Sequence, residues 1–150
     1  MTTYVHYGHR HFDNDLFEPI QNTRVYTKPT GGIWASRTEA KFGWKDWCKD
    51  TDGFFECDDE FSFVFTLKES AKILEVHSHE DFLRIYEKYG RKEVPFPTCF
   101  QLLDFEMLHE DYDAVEYFLS DDGRLYHDMY GWDCDSILIM NPEIIQEKGS

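Results

Sequence analysis

Apolar and polar positions alternate most regularly between Phe61 and Leu67. Phe61, Phe63, Phe65 and Leu67 fall on one side, and Ser62, Val64 and Thr66 on the other. A period of two predicts a strand with one well-buried face. Thr2 to Tyr7 carries a weaker form of the same pattern and predicts a first strand ending at Gly8. Nearer the C-terminus the pattern becomes an unbroken apolar run, Ile137 to Met140, closed by Asn141-Pro142. Such a run predicts a buried strand, because proline brings no N–H to a ladder and ends it. Asp133 and Asp135 stand at its mouth. Carboxylates in that position are costly to desolvate unless a partner, a solvent-filled cleft or a chemical task accounts for them.

Between these strands the apolar spacing turns helical. Phe82, Leu83, Ile85 and Tyr86 predict a helix capped by Ser78, running through Tyr89 and stopped by Gly90. A second helix is expected over roughly Gln101 to Glu110. Ser36 is placed as the cap of a helical segment through Cys48, with Phe42, Trp44 and Trp47 on or near one face. Short strands are expected at Arg24–Lys28, Ile33–Ala35, Lys72–Val76 and Asp113–Phe118. Pro29 to Gly32 and Asp121 to Gly123 read as turns, Leu125 to Tyr130 as a short helical turn, and Asp50 to Asp59 as an acidic loop. Mixed strands and helices with little regular β-α alternation predict an α+β fold. The domain is expected to span 1–148, with Gly149-Ser150 set aside as the kind of pair a cloning scar leaves.

Composition narrows the reading. One hundred and fifty residues suffice for one domain with a hydrophobic core, and 17% aromatic residues argue against disorder. No apolar run reaches membrane-spanning length, and the N-terminus has no signal-peptide core, so a cytoplasmic protein is expected. Cys48, Cys57, Cys99 and Cys134 include no CxxC pair, which predicts reduced thiols rather than a disulfide framework. His77 and His79 with Cys57 match no zinc spacing. The net charge of −15 is uneven: residues 1–49 carry +2 and residues 50–150 carry −17. That balance disfavours direct nucleic-acid binding, leaves room for a phosphate-bearing ligand near the first third, and favours a basic protein partner.

Three clusters in order carry candidate chemistry: His6-Tyr7-Gly8, then Gly32-Ile33-Trp34 with Ser36, Trp44 and Trp47, then Asp133 and Asp135 before the last buried strand. Histidine supplies a hydrogen-bonding ring, aromatics a stacking surface, and a carboxylate the means to stabilise positive charge. In that order they resemble the ADP-ribosyltransferase fold family, which includes diphtheria-type toxins and poly(ADP-ribose) polymerases. The resemblance implies two packed, mostly antiparallel sheets around an NAD cleft with flanking helices. It implies NAD as cofactor, with His6 on a ribose hydroxyl and Trp34 with Trp44 or Trp47 sandwiching the nicotinamide. Tyr7, Gly8, Gly32, Ile33 and Ser36 would complete that wall, and Arg10, Arg24 or Arg37 would meet the diphosphate. Asp133 or Asp135 would be the catalytic carboxylate, although counting back from Asn141-Pro142 places Ser136 at the family's glutamate position.

The expected function is therefore ADP-ribosyl transfer from NAD to a protein target, in the manner of a bacterial or phage effector. An NAD glycohydrolase on the same fold is not separable by sequence. The alternative from another class is a non-enzymatic acidic inhibitor, or nucleic-acid mimic, that docks on a basic protein surface.

Overall fold

A computed structural model of the chain describes residues 1–23, 26–51, 57–92 and 101–147. Its seven strands are β1 (Tyr4–Tyr7), β2 (Ile33–Arg37), β3 (Ser62–Leu67), β4 (Ile73–Val76), β5 (Ala114–Tyr117), β6 (Ser136–Ile139) and β7 (Ile145–Glu147). The helices are α1 (Trp44–Asp50), α2 (His79–Tyr89), α3 (Phe105–Asp111) and α4 (Leu125–Asp128). The fold is α+β. The expectation of two packed sheets is corrected: the strands form one mixed sheet in the order β4-β5-β6-β2-β1-β3-β7. Every pairing is antiparallel except β4 with β5.

The alternation that predicts the strands also divides the core. On one face, Tyr4, Ala35, Phe63, Phe65, Ile137 and Ile139 pack together under the N-terminal segment, whose Phe12, Leu16 and Phe17 lie against them. On the other, Val115, Tyr117, Leu138 and Met140 receive Phe82 and Ile85 of α2 and Phe105 and Leu108 of α3. Successive residues of β6 serve opposite faces, which is why that strand reads as continuously apolar. Ser78 caps α2 by accepting from the Asp81 N–H, as its spacing predicts.

Four local expectations change. Of Arg24–Lys28, residues 24 and 25 lie outside the described residues, and 26–28 form a loop closed by an isolated Gln21–Thr30 bridge rather than a strand. Ser36 is a buried residue of β2, and α1 begins at Trp44; the serine still caps that helix, by tertiary contact, because its Oγ accepts from the Trp44 N–H at 3.3 Å. Cys48 and Cys57 are joined as a disulfide, their Cα atoms 6.3 Å apart, against the expected reduced thiols. Their spacing of nine residues matches no motif, so only folding brings them together. The helix expected over roughly Gln101 to Glu110 starts instead at Phe105, capped by Asp104, whose carboxylate accepts from the Met107 N–H. Among the described residues, no helix is long and apolar enough to cross a membrane.

Candidate active site

The shortest ladder of the sheet joins β1 to β2. Their ladder consists of two residue pairs, Tyr4 with Arg37 and Val5 with Ser36. Continued, the register would set His6 against Ala35 and Tyr7 against Trp34. Instead the strands part, and the His6 ring takes the place of the ladder: its Nδ1 lies 2.7 Å from the Trp34 carbonyl oxygen. The carbonyl only accepts, so Nδ1 carries the proton and Nε2 is left as an acceptor. His9 lies on that acceptor, Nδ1 to Nε2 at 3.1 Å.

A cleft of about 350 Å³ opens where the strands diverge. His6, Tyr7, Trp34, Trp44, Trp47 and Asp133 line it, with Lys28, Cys48 and Cys57. Thus the histidine, three tryptophans and one of the two acids singled out from the sequence share a site, although they come from β1, β2, α1 and the segment before β6. Trp34 points to the helical face and packs edge-on against fully buried Trp132, with centroids 4.7 Å apart. Trp132 also meets Tyr117 at 4.4 Å and Phe105 at 6.0 Å, so the wall bearing Trp34 rests on the main core. Trp44 and Trp47 stand edge to face on α1 at 5.8 Å. The Trp44 indole nitrogen is buried and lacks an acceptor among the described residues, an uncommon state for so strong a donor.

The acids separate. Asp133 has φ 65, the one positive value at a non-glycine among the described residues. The Cys134 N–H donates back to the Trp132 carbonyl at 2.7 Å across it, so the chain reverses there. This reversal presents Asp133 to the cleft, which strand counting cannot anticipate. Left-handed backbone at a non-glycine residue is costly and collects at functional sites. Asp135 is instead buried away from the cleft, accepting from the Ser120 N–H at 2.8 Å and from its hydroxyl. It borders a second pocket of about 230 Å³ with Arg37, Lys41 and His77. Ser136 is buried in β6, its Oγ donating to the Cys134 carbonyl.

The remaining candidates fall elsewhere. Gly8 ends β1, its N–H donating to the Phe61 carbonyl at 2.6 Å. Gly32 has φ 71, and a Cβ there would lie 2.6 Å from Leu138, so it permits close packing of β2 on β6 rather than touching a ligand. Ile33 is core. Arg10 is exposed and sits over the Phe61 ring at 4.9 Å. Arg24 lies outside the described residues. Arg37 is held by Glu116 and Glu75 at the other pocket. His77 and His79 are paired with Asp121 and Asp128.

The sequence reading missed Lys28. Thr27 anchors its loop by donating to the Tyr130 carbonyl and by accepting, at its own carbonyl, from the Trp132 indole N–H at 3.4 Å. The Lys28 ammonium then lies 5.1 Å from the ring centroids of both Trp34 and Trp44, and 3.6 Å from the Asp133 carboxylate. A lysine among turn residues gives no periodic signal.

Desolvation pushes the His6 pKa below its ordinary 6.5, with the Trp34 carbonyl pulling it upward and His9 downward. The folded His6 is therefore neutral and keeps Nε2 as an acceptor. Below pH 6.5 the unfolded chain takes a proton that the folded ring refuses. Wild-type stability should accordingly fall as pH drops from 6.5 toward the lowered folded value, and His6→Gln should flatten that fall. Urea midpoints of the two proteins, followed against pH, check this; parallel declines overturn it.

No protein-family model, curated protein or solved structure matches the chain.

Proposed function

We propose that the chain transfers ADP-ribose from NAD to a protein acceptor, with the β1–β2 cleft as the donor site. The observation that carries this reading is the convergence of His6, Trp34, Trp44, Trp47 and Asp133 on one cleft. The walls suit the donor in three respects. Trp34 and Trp44 already hold a cation between them, and the oxidised nicotinamide ring is a flat cation. The Trp44 indole N–H has no acceptor among the described residues, and a small shift of that ring would let a carboxamide oxygen supply one. His6 Nε2 accepts from His9 Nδ1 at 3.1 Å, and a ribose hydroxyl would take the place of that partner.

The chemistry asked of the protein is positioning and charge placement. The bond between nicotinamide and ribose breaks with its electron pair leaving on the nicotinamide, and an acceptor side chain forms the new bond at the ribose carbon as it gives up its proton to solvent. His6 fixes the ribose, while the tryptophans hold the leaving ring and exclude water from one side. Asp133 places negative charge where the sugar becomes positive. The −17 carried by residues 50–150 favours an acceptor protein with a basic surface.

Calorimetry with NAD, and transfer of label from NAD to proteins of a lysate, test the reading. Saturable binding with a labelled acceptor is expected. Free ADP-ribose without a labelled acceptor reassigns the cleft to NAD hydrolysis. Absence of both binding and label overturns the proposal, and salt-sensitive capture of a basic protein without NAD then supports a non-enzymatic acidic inhibitor instead.

A further inference from the structure

The cleft is organised around a cation that belongs to the chain. Lys28 Nζ is equidistant, at 5.1 Å, from the Trp34 and Trp44 ring centroids, and 3.6 Å from Asp133 Oδ2. Two indoles and a carboxylate around one positive charge form a cage of the type that holds organic cations. The seat is shallow. Lys28 and Asp133 side chains are 31% and 32% exposed, and ion pairs so open to water are weak. The flexible lysine stem can therefore leave it at little cost, while the cage walls stay fixed by Trp132 beneath Trp34 and by the Ser36 cap on α1.

We propose that Lys28 is a built-in competitor that keeps the cage closed, and that the ligand group taken there is a flat organic cation such as a pyridinium, which enters by displacing the lysine ammonium. This rests on the cleft being the ligand site proposed above, but not on NAD being turned over. The apparent affinity of any competing cation is scaled down to the fraction of molecules in which Lys28 has left the cage. When Lys28 leaves, Asp133 and both indoles become available together, so charge and stacking are recognised as one unit. A neutral ring gains the space but not the carboxylate.

The test uses 1-methylnicotinamide as a cationic probe and nicotinamide as its neutral counterpart, read by quenching of tryptophan fluorescence. Lys28→Met should tighten 1-methylnicotinamide binding roughly fivefold, the size expected for one exposed cation–π seat; nicotinamide gains the same freed space but stays the weaker ligand, because it does not engage the carboxylate. Lys28→Arg keeps a cation in the cage and should retain the wild-type affinity. Asp133→Asn should remove most of the preference for the charged probe. Unchanged or weaker binding of 1-methylnicotinamide to Lys28→Met overturns the proposal, with unaltered thermal melts of the variant excluding misfolding as the cause. Probe binding that follows these expectations without label transfer from NAD refutes the transferase reading alone. Label transfer with no effect of Lys28→Met refutes this one alone.

Discussion

Asp133→Asn should lower the rate of nicotinamide release roughly 10²–10³-fold, the usual consequence of removing one preorganised group from a site of developing charge. NAD affinity should fall far less than the rate, by no more than the preference the cage shows for a charged ring over a neutral one, because the carboxylate matters most once the ribose carbon becomes positive. The substitution is well matched to the backbone. Asp133 sits at φ 65, and asparagine tolerates left-handed geometry as aspartate does, so the turn that presents the side chain is kept. Asp135→Asn is the informative counterpart. Its carboxylate accepts from the Ser120 N–H and hydroxyl, so its loss should cost about 1.5–3 kcal/mol of stability with little effect on release. Single-turnover assays of nicotinamide release together with denaturation midpoints separate the two. Full activity in Asp133→Asn, or catalytic loss confined to Asp135→Asn, removes Asp133 from the mechanism.

The contrast between these acids marks where sequence patterning stops being informative. Period two is enforced by a continuous ladder, and it reports correctly on β3, whose Phe63 and Phe65 enter one core, while the unbroken apolar run of β6 marks a strand whose alternate residues enter both. It also brings His6 and Trp34 to neighbouring strands. The phase of a strand does not survive a chain reversal. One left-handed residue between Trp132 and Cys134 sends Asp133 into the cleft and leaves Asp135 beneath Ser120. Lys28 and the Cys48–Cys57 bridge were illegible for a related reason: their positions depend on Thr27 meeting Tyr130 and on α1 folding back toward the start of β3. Ser36 shows the converse. Its role as a cap of α1 was legible, but the helix it caps starts eight residues later, at Trp44.

Arg37→Met should destabilise the fold by about 3 kcal/mol at neutral pH, because it leaves a buried carboxylate without its cation. Glu116 is 4% exposed at its side chain and receives the Arg37 guanidinium at 2.8 and 3.1 Å and the Tyr4 hydroxyl at 3.2 Å. The arginine is itself 34% exposed, so its loss admits some water and holds the cost to the lower part of the range for buried pairs. Burial raises the Glu116 pKa above its ordinary 4.5 even with Arg37 and Tyr4 pulling it down. The folded state therefore holds the Glu116 proton more tightly than the unfolded chain does. Stability from this group declines as pH rises from 4.5 through the folded value and stays reduced above it. Removing Arg37 moves the folded value higher, so the deficit of Arg37→Met should shrink on acidification from about pH 7.5 toward about pH 5. Adding Glu116→Gln should recover most of it at neutral pH. A deficit that is flat with pH and insensitive to Glu116→Gln refutes the assignment. The same network bears on the cleft. Tyr4 and Arg37 form one of the two residue pairs that join β1 to β2, and Glu116 ties both to β5. Beyond those pairs the strands part to make the site. A cleft opened by a short ladder needs that ladder held firmly at its closed end, so Arg37→Met should weaken ligand binding as well as folding, although Arg37 does not line the cleft.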